Sequence, residues 1–265
     1  MYATSYHRAS SVEEAVKLKS QHEEGRYLSG GMTLIATMKQ RLAAPSDLID
    51  LRHIPDLKGI SLDGGNVRIG AATPHADVAG SSLLRSVCPA ICDLAGMIGD
   101  PHVRHMGTIG GSIANNDPAA DYPAAMLGLG ATIITDRRWI GADEFFTGLF
   151  ETALEEGEMV TAVTFEAPEK AGYAKFANPA SRYALAGVFV AKRPDGVRVA
   201  VTGAGANGVF RHGGMEEALA SSWSPEAVMT AEVGQADMLA DMHASADYRA
   251  NLVRVMAKRA VQDAG

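Results

Sequence analysis

Two short stretches, Ser29-Gly30-Gly31-Met32-Thr33 and Thr108-Ile109-Gly110-Gly111-Ser112, decide how this chain is to be read. Each sets a pair of glycines between hydroxyl side chains. Glycine has no Cβ, so its backbone can adopt positive φ and approach a ligand closely, and successive N–H groups can converge on one concavity. Such a concavity suits a pyrophosphate, with Ser29, Thr33, Thr108 and Ser112 as hydroxyl donors and the helix expected after the first stretch adding partial positive charge. Taken singly, either Gly-Gly pair also reads as a tight turn; the repetition of one design points to a ligand. Downstream, Asn115 to Asp121 brings amides and carboxylates close behind the second stretch. Spacing alone leaves Asp121 two equal readings, an acceptor for ribose or ribityl hydroxyls or the N-cap of the next helix.

Around these stretches the local signals alternate between strand and helix. Ser11-Val-Glu-Glu14 is a capping box opening a short helix, Arg26-Tyr27-Leu28 reads as a strand entering the first glycine pair, and a helix is expected over Leu34 to Leu42. Leu48 to Leu51 reads as a strand, and Gly59 to Leu62 with Val67 to Ala71 as a hairpin turning through Asp63-Gly-Gly-Asn66. Helices are expected over His75 to Arg85, Ala90 to Ile98 and Asp121 to Leu127, and strands over Ala131 to Thr135 and Met159 to Phe165. From Gly172 the pattern changes to a long hairpin, Leu185 to Ala191 and Val197 to Thr202, followed mostly by helix, ending in an amphipathic segment over Asp247 to Val261. The mixture of strand runs and helices predicts an α+β fold, divided near residue 170 into residues 1–170 and 171–265, the first part split again near 55–60.

The composition narrows the classes of partner. With 265 residues, 47% of them hydrophobic, the chain can bury a sizeable core, and a formal charge of −7 without clustered Lys or Arg argues against nucleic acid or anionic membrane. Met1 to Ser11 contains no apolar run like that of a secretory signal, and no segment reaches membrane-span length, so the expected location is cytoplasmic. Cys88 and Cys92, four apart among apolar neighbours, read as small buried hydrophobes; two thiols cannot supply the four ligands of an ordinary iron–sulfur cluster.

Over nearly its whole length the chain resembles the flavoprotein subunits of the xanthine dehydrogenase and carbon monoxide dehydrogenase family, that is, the FAD-binding medium subunits of molybdenum hydroxylases. The resemblance is carried by Tyr6-His-Arg8, Leu28-Ser-Gly-Gly-Met-Thr-Leu34, Met38 to Leu42, Ile49-Asp-Leu51, Ile69 to Thr73 with His75, Val103 to Ser112, Asp117-Pro-Ala-Ala-Asp121, Lys175 and Ala244 to Arg249. It implies a vanillyl-alcohol-oxidase (PCMH) type FAD-binding fold in two subdomains with a small α+β C-terminal domain. It further implies that Ser29 to Thr33 and Thr108 to Ser112 hold the FAD pyrophosphate mainly through backbone N–H groups. Asn115 and Asp121 then fall where the family contacts ribityl or ribose hydroxyls, and Arg26, Tyr27 and Leu28 lead into the adenine side. Lys175 and Tyr183 fall near the isoalloxazine, Lys175 to stabilise negative charge on reduced flavin and Tyr183 to cover one face; a surface lysine and a core tyrosine are the plainer readings. Met32 stands where relatives often have Gln or His, Thr33 where Ser is usual, and His105 where Asn is common.

Other motifs compete weakly. Gly203-Ala-Gly205-Ala-Asn-Gly208 satisfies G-x-G-x-x-G, but only 57 residues follow it, too few for a Rossmann domain. His102 and His105 form H-x-x-H without a third ligand nearby in sequence. The expected function is electron transfer through noncovalent FAD, fed by [2Fe-2S] clusters in a small partner subunit beside a large subunit carrying the molybdenum cofactor, in a dimer of heterotrimers. A free-standing FAD oxidase and a nonenzymatic nucleotide-binding assembly module are the alternatives. No residue is assigned a catalytic or metal-binding role, and Gly31→Val or Gly110→Val is expected to remove FAD and leave the chain folded.

Overall fold

The alternation of short strand and short helix in the first fifty residues produces a parallel sheet, which requires a crossover between successive strands. In the computed structural model, which describes residues 1–265, these elements are β1 (Ser5–Arg8), α1 (Val12–Gln21), β2 (Arg26–Leu28), α2 (Leu34–Lys39) and β3 (Asp47–Asp50), with strand order β1-β3-β2. The Ser11 hydroxyl accepts the Glu14 N–H at 3.1 Å, as the capping box requires, while the Glu14 carboxylate reaches the N–H of Ser10 rather than that of Ser11. The helix expected over Leu34 to Leu42 stops at Lys39, and Arg41 turns the chain with φ +62°.

The next hundred residues build a five-stranded antiparallel sheet covered by helices. Its strands are β4 (Ile60–Asp63), β5 (Asn66–Gly70), β6 (Thr132–Thr135), β7 (Trp139–Gly141) and, after the two-stranded β8 (Phe146–Gly148) and β9 (Glu151–Thr152), β10 (Val160–Glu166). The order is β4-β5-β10-β6-β7. Between β5 and β6 run α3 (His75–Gly80), α4 (Ser82–Val87), α5 (Pro89–Gly96), α6 (Pro101–Met106), α7 (Ile109–Asn115) and α8 (Tyr122–Leu129); the one-turn α9 (Ala142–Phe145) follows β7. The single helix expected over His75 to Arg85 is two, because the Ser81 hydroxyl accepts the Leu84 N–H at 3.2 Å and restarts the helix after Gly80.

The second glycine stretch, read as a loop, is the first turn of α7. Thr108 is its N-cap, accepting the Gly111 N–H at 3.2 Å, and neither Gly110 nor Gly111 has positive φ. Gly110 is required by proximity: a Cβ there would lie 2.5 Å from the Ala71 Cβ and 2.7 Å from its carbonyl oxygen.

The last hundred residues form the antiparallel meander β11 (Lys170–Ala177), β12 (Ala184–Arg193), β13 (Gly196–Thr202) and β14 (Phe210–Arg211), followed by α10 (Gly213–Ser221) and α11 (Ala246–Ala264). Residues 184–191 of β12 are all buried, because α8 packs on one face of this sheet and α11 on the other. That accounts for an apolar run without the two-residue alternation of a half-exposed strand. Helix α8 is itself buried on every side. Arg249 of α11 is 2% exposed and donates to the carbonyls of Leu185 and Gly203 at 2.6 and 2.7 Å and to the Asp241 carboxylate at 2.8 Å, tying the last helix to the ends of β12 and β13. No helix is long and apolar enough to cross a membrane.

Candidate functional site

The parallel sheet, the helical layer and the β11–β12 turn meet around a cavity of about 750 Å³. That size lies within the range of small-molecule and cofactor pockets. Of the residues singled out in the sequence, Arg26 to Thr33, Thr108, Gly110 to Ser112, Asn115, Asp121 and Tyr183 line it; Ile109 and Lys175 do not. Ile109 is fully buried in the core beneath α7.

The two glycine stretches face each other and interlock. Ser29 Oγ and Thr108 Oγ1 lie 2.8 Å apart, and a Cβ on Gly30 would fall 2.2 Å from the Met106 carbonyl oxygen. Gly31 has φ +71°, the left-handed conformation that favours glycine. Their donors differ. The N–H groups of Ile109, Gly110 and Gly111 are used within the protein, by Thr73 O, Ala71 O and Thr108 Oγ1, whereas those of Gly30, Gly31, Met32 and Thr33 donate to no other residue. The first stretch therefore offers four main-chain donors to a ligand, and the second offers chiefly the hydroxyls of Thr108 and Ser112. Such a row of N–H groups attracts an anion.

Beyond the glycines the wall carries carboxylates held by hydrogen bonds. Asp121 occupies the N-cap position of α8 without accepting a capping hydrogen bond. Its carboxylate instead accepts from the Tyr173 hydroxyl and, at 2.9 Å, from Lys175 Nζ, which also reaches the Met97 carbonyl at 3.2 Å. Burial raises the Asp121 pKa against the opposing pull of the Lys175 ammonium and the Tyr173 hydroxyl. Lys175 thus stands behind Asp121, its side chain 2% exposed, and the surface reading of that residue is wrong. Burial likewise raises Asp117, which accepts the Ala119 N–H at 2.9 Å. Tyr183 lines the cavity and is 44% exposed, so it is no core residue; burial, then the charges of Asp117 and Asp121, raise its pKa. The turn that carries it reaches across the mouth, where Arg182 donates to the Gly99 carbonyl at 3.1 Å.

Two wall residues, His75 and Glu158, carry no site role in the sequence reading. His75 is 5% exposed, lies on the wall, and its Nδ1 has no hydrogen-bond partner in the protein. Burial, reinforced by the Arg104 charge, lowers its pKa to about 4, so the ring is neutral at pH 7. Glu158 also lines the cavity, held at about 2 first by hydrogen bonds from Arg138, against desolvation, with help from the Glu155 N–H and the Thr135 hydroxyl. The Tyr27 hydroxyl donates to Gly157 O at 3.0 Å, and burial, then the Asp136 charge, pushes its pKa to about 12. The four free N–H groups of the first glycine stretch fit an anionic, phosphate-bearing ligand.

Residues 2–167 match the family model described as the FAD binding domain in molybdopterin dehydrogenase. This chain is a member of that family. It is an FAD-binding oxidoreductase subunit of molybdenum-hydroxylase type. Among relatives of this FAD-binding subunit, the carbon monoxide dehydrogenase medium chain of Hydrogenophaga pseudoflava is 34% identical, with 98% of this chain and 96% of the relative covered. The nicotine 6-hydroxylase medium subunit of Paenarthrobacter nicotinovorans is also 34% identical, at 99% and 98% coverage. Reconstituted CO dehydrogenase from Oligotropha carboxidovorans contains a chain with 34% identity and a TM-score of 0.92, over 99% of this chain and 98% of that one. The competing motifs recede in the FAD-binding subunit: Gly203 to Gly208 lies outside the cavity, and His105 Nδ1 is occupied by the Pro101 carbonyl at 2.7 Å. Cys88 and Cys92 are free thiols, both buried.

Proposed function

We propose that this FAD-binding subunit relays electrons, receiving them from [2Fe-2S] clusters of a small partner beside a large subunit with the molybdenum cofactor, and delivering them to an external acceptor. The complex is taken to be a cytoplasmic dimer of heterotrimers, and the fold to be of the vanillyl-alcohol-oxidase type with domains at 1–170 and 171–265. One observation carries the reading. A cavity walled by free main-chain donors and braced carboxylates spans a chain that matches medium subunits end to end, for relatives whose names carry substrates as different as carbon monoxide and nicotine. Substrate choice therefore belongs to another subunit.

Bound noncovalently, FAD supplies a centre that handles both one-electron and two-electron steps. The chain supplies position and electrostatics. The N–H groups of Gly30 to Thr33, with the Ser29, Thr108 and Ser112 hydroxyls, hold the pyrophosphate; Arg26, Tyr27 and Leu28 border the adenine side; Asn115 and Asp121 accept from sugar-type hydroxyls. Lys175 and Tyr173 fix the Asp121 carboxylate, and Tyr183, lining the cavity, would cover the flavin ring and limit water.

Anaerobic mixing of the FAD-loaded subunit with candidate hydroxylase substrates, followed at the flavin absorbance band, tests the relay. Bleaching is expected only after the two partner subunits are added, while a chemical reductant bleaches the isolated subunit at once. Rapid bleaching of the isolated chain by a small organic substrate would establish a free-standing oxidase or dehydrogenase instead. Acid precipitation should release the flavin, and flavin retained on the denatured chain would overturn noncovalent binding.

A further inference from the structure

A second constellation lies away from the FAD cavity, at the edge of the parallel sheet. His7 on β1, His22 at the C-cap of α1 and Asp47 on β3 bring one ligand atom each within 4.8 Å of one another. His7 Nε2 lies 2.6 Å from Asp47 Oδ1, and His22 Nδ1 lies 3.2 Å from Asp47 Oδ2. The two imidazole rings stand 4.6 Å apart between centroids. None of the three residues lines the FAD cavity.

We propose that His7, His22 and Asp47 form a binding site for one zinc ion, with water as the fourth ligand, that clamps β1 and the end of α1 onto β3. Two imidazoles and one carboxylate are the ligand types that zinc takes, and three protein ligands with one open position form a known coordination pattern. Tetrahedral coordination at ordinary zinc bond lengths separates ligand atoms by roughly 3.4 Å. The His7 Nε2–Asp47 Oδ1 separation of 2.6 Å needs to open by about 0.8 Å, and one ligand atom of each residue already lies within 4.8 Å of the other two, so small side-chain rotations complete the arrangement.

The backbones are already in place. Ser5 is the register partner of Asp47, so His7, two residues on, projects from the same sheet face as Asp47. The His22 N–H is held by the carbonyls of Leu18 and Lys19 at 3.1 and 3.2 Å, and its own carbonyl accepts from Gly25 at 2.9 Å. The Asp47 side chain is 10% exposed while the His7 and His22 side chains are 27% and 32% exposed, so the site is seated in protein on the carboxylate side and open to water on the other. Because the ligands come from three separate elements, they converge only in the folded chain, and metal binding should favour the folded state.

The test uses the full-length, FAD-loaded chain, stripped with EDTA, dialysed and titrated with zinc chloride by calorimetry. One zinc per chain is expected, with a rise in the thermal unfolding midpoint and no change in the flavin spectrum. Cobalt(II) should give the visible absorption of a tetrahedral site, and a crystal soaked in zinc should show one anomalous peak between the three side chains. His22→Ala and His7→Gln should each weaken zinc binding by more than about tenfold and abolish the thermal shift. Cys88→Ser with Cys92→Ser should leave both unchanged. Absence of saturable zinc binding, or zinc binding that survives both histidine variants, overturns the site and leaves the trio as a hydrogen-bonded clasp.

Discussion

Gly30 and Gly110 are glycine for a different reason from Gly31. At Gly31 the backbone itself demands it, with φ +71°, and an alanine would meet only side-chain atoms, Leu28 Cδ1 and Ile35 Cγ1, each at 3.0 Å. At Gly30 and Gly110 the conformation is ordinary but the neighbouring backbone leaves no room, the nearest atoms being Met106 O at 2.2 Å and Ala71 Cβ at 2.5 Å. Gly31→Ala is therefore expected to cost about 1 kcal/mol and to weaken FAD, with the chain folded. Gly30→Ala and Gly110→Ala should lose about 1–3 kcal/mol or more, because α6 or β5 must move. Urea unfolding with parallel flavin titration separates the two classes; equal stability losses at Gly31 and Gly110 would contradict this ordering. The expectation that Gly110→Val spares the fold does not survive the contact with Ala71. Sequence reading singled out these glycines, since glycine pairs beside hydroxyls are visible locally, but which constraint acts at each depends on what lies across the gap.

At the scale of elements, β11 shows how a strand outside the glycine region shapes the site. Tyr173 and Lys175 are two apart and so share the face turned toward the start of α8, where both reach Asp121. Removing the lysine leaves a buried carboxylate without its cation, which costs about 3–5 kcal/mol, whereas removing the tyrosine hydroxyl costs about 1–2 kcal/mol. Lys175→Met should accordingly destabilise the flavin-free chain more than Tyr173→Phe, and Lys175→Met with Asp121→Asn should recover part of the loss in chemical denaturation. If Lys175→Met proves neutral, the pair is not braced as described. The sequence drew attention to Lys175 and Asp121 separately; their contact spans 54 residues and no local pattern records it. Tyr173 escaped for the same reason, as one aromatic among seven tyrosines.

Across the whole molecule, buried titratable groups make stability depend on acid. His75 is held neutral with a pKa of about 4, below its unfolded value of about 6.5. The unfolded chain binds the extra proton between these values, so the contribution of His75 is complete above pH 6.5 and lost as pH falls through about 4. Asp50 and Glu158 act lower. Burial pushes Asp50 up, but hydrogen bonds from Arg52, Tyr6 and the Arg52 backbone outweigh it and hold Asp50 at about 2, as the Arg138-centred network holds Glu158. Their contribution is present above about pH 4 and disappears toward pH 2. Urea midpoints measured without added FAD should diverge between wild type and His75→Gln from pH 6.5 to 4. Arg52→Gln should remove part of the further fall between pH 4 and 2. Parallel wild-type and His75→Gln profiles would show that His75 is not buried in its neutral form.

The sequence by itself determined the class of fold and the ligand class: paired glycines beside hydroxyls, the Asp63-Gly-Gly-Asn66 hairpin, the continuous apolar run of β12 and the amphipathic last helix are local patterns that backbone sterics and burial impose. Local patterns also misled where they end abruptly, joining α3 to α4 across Ser81 and reading the first turn of α7 as a loop. Only the tertiary structure decided which glycine N–H groups stay free, that Lys175 stands behind Asp121, that the β11–β12 turn crosses the cavity mouth, that His75 is left with an unpartnered nitrogen, and that His7, His22 and Asp47 meet. Each of these rests on a contact between residues far apart in the chain. Burial and hydrogen-bond competition at such contacts are set by the packing of whole elements, and no window of sequence contains them.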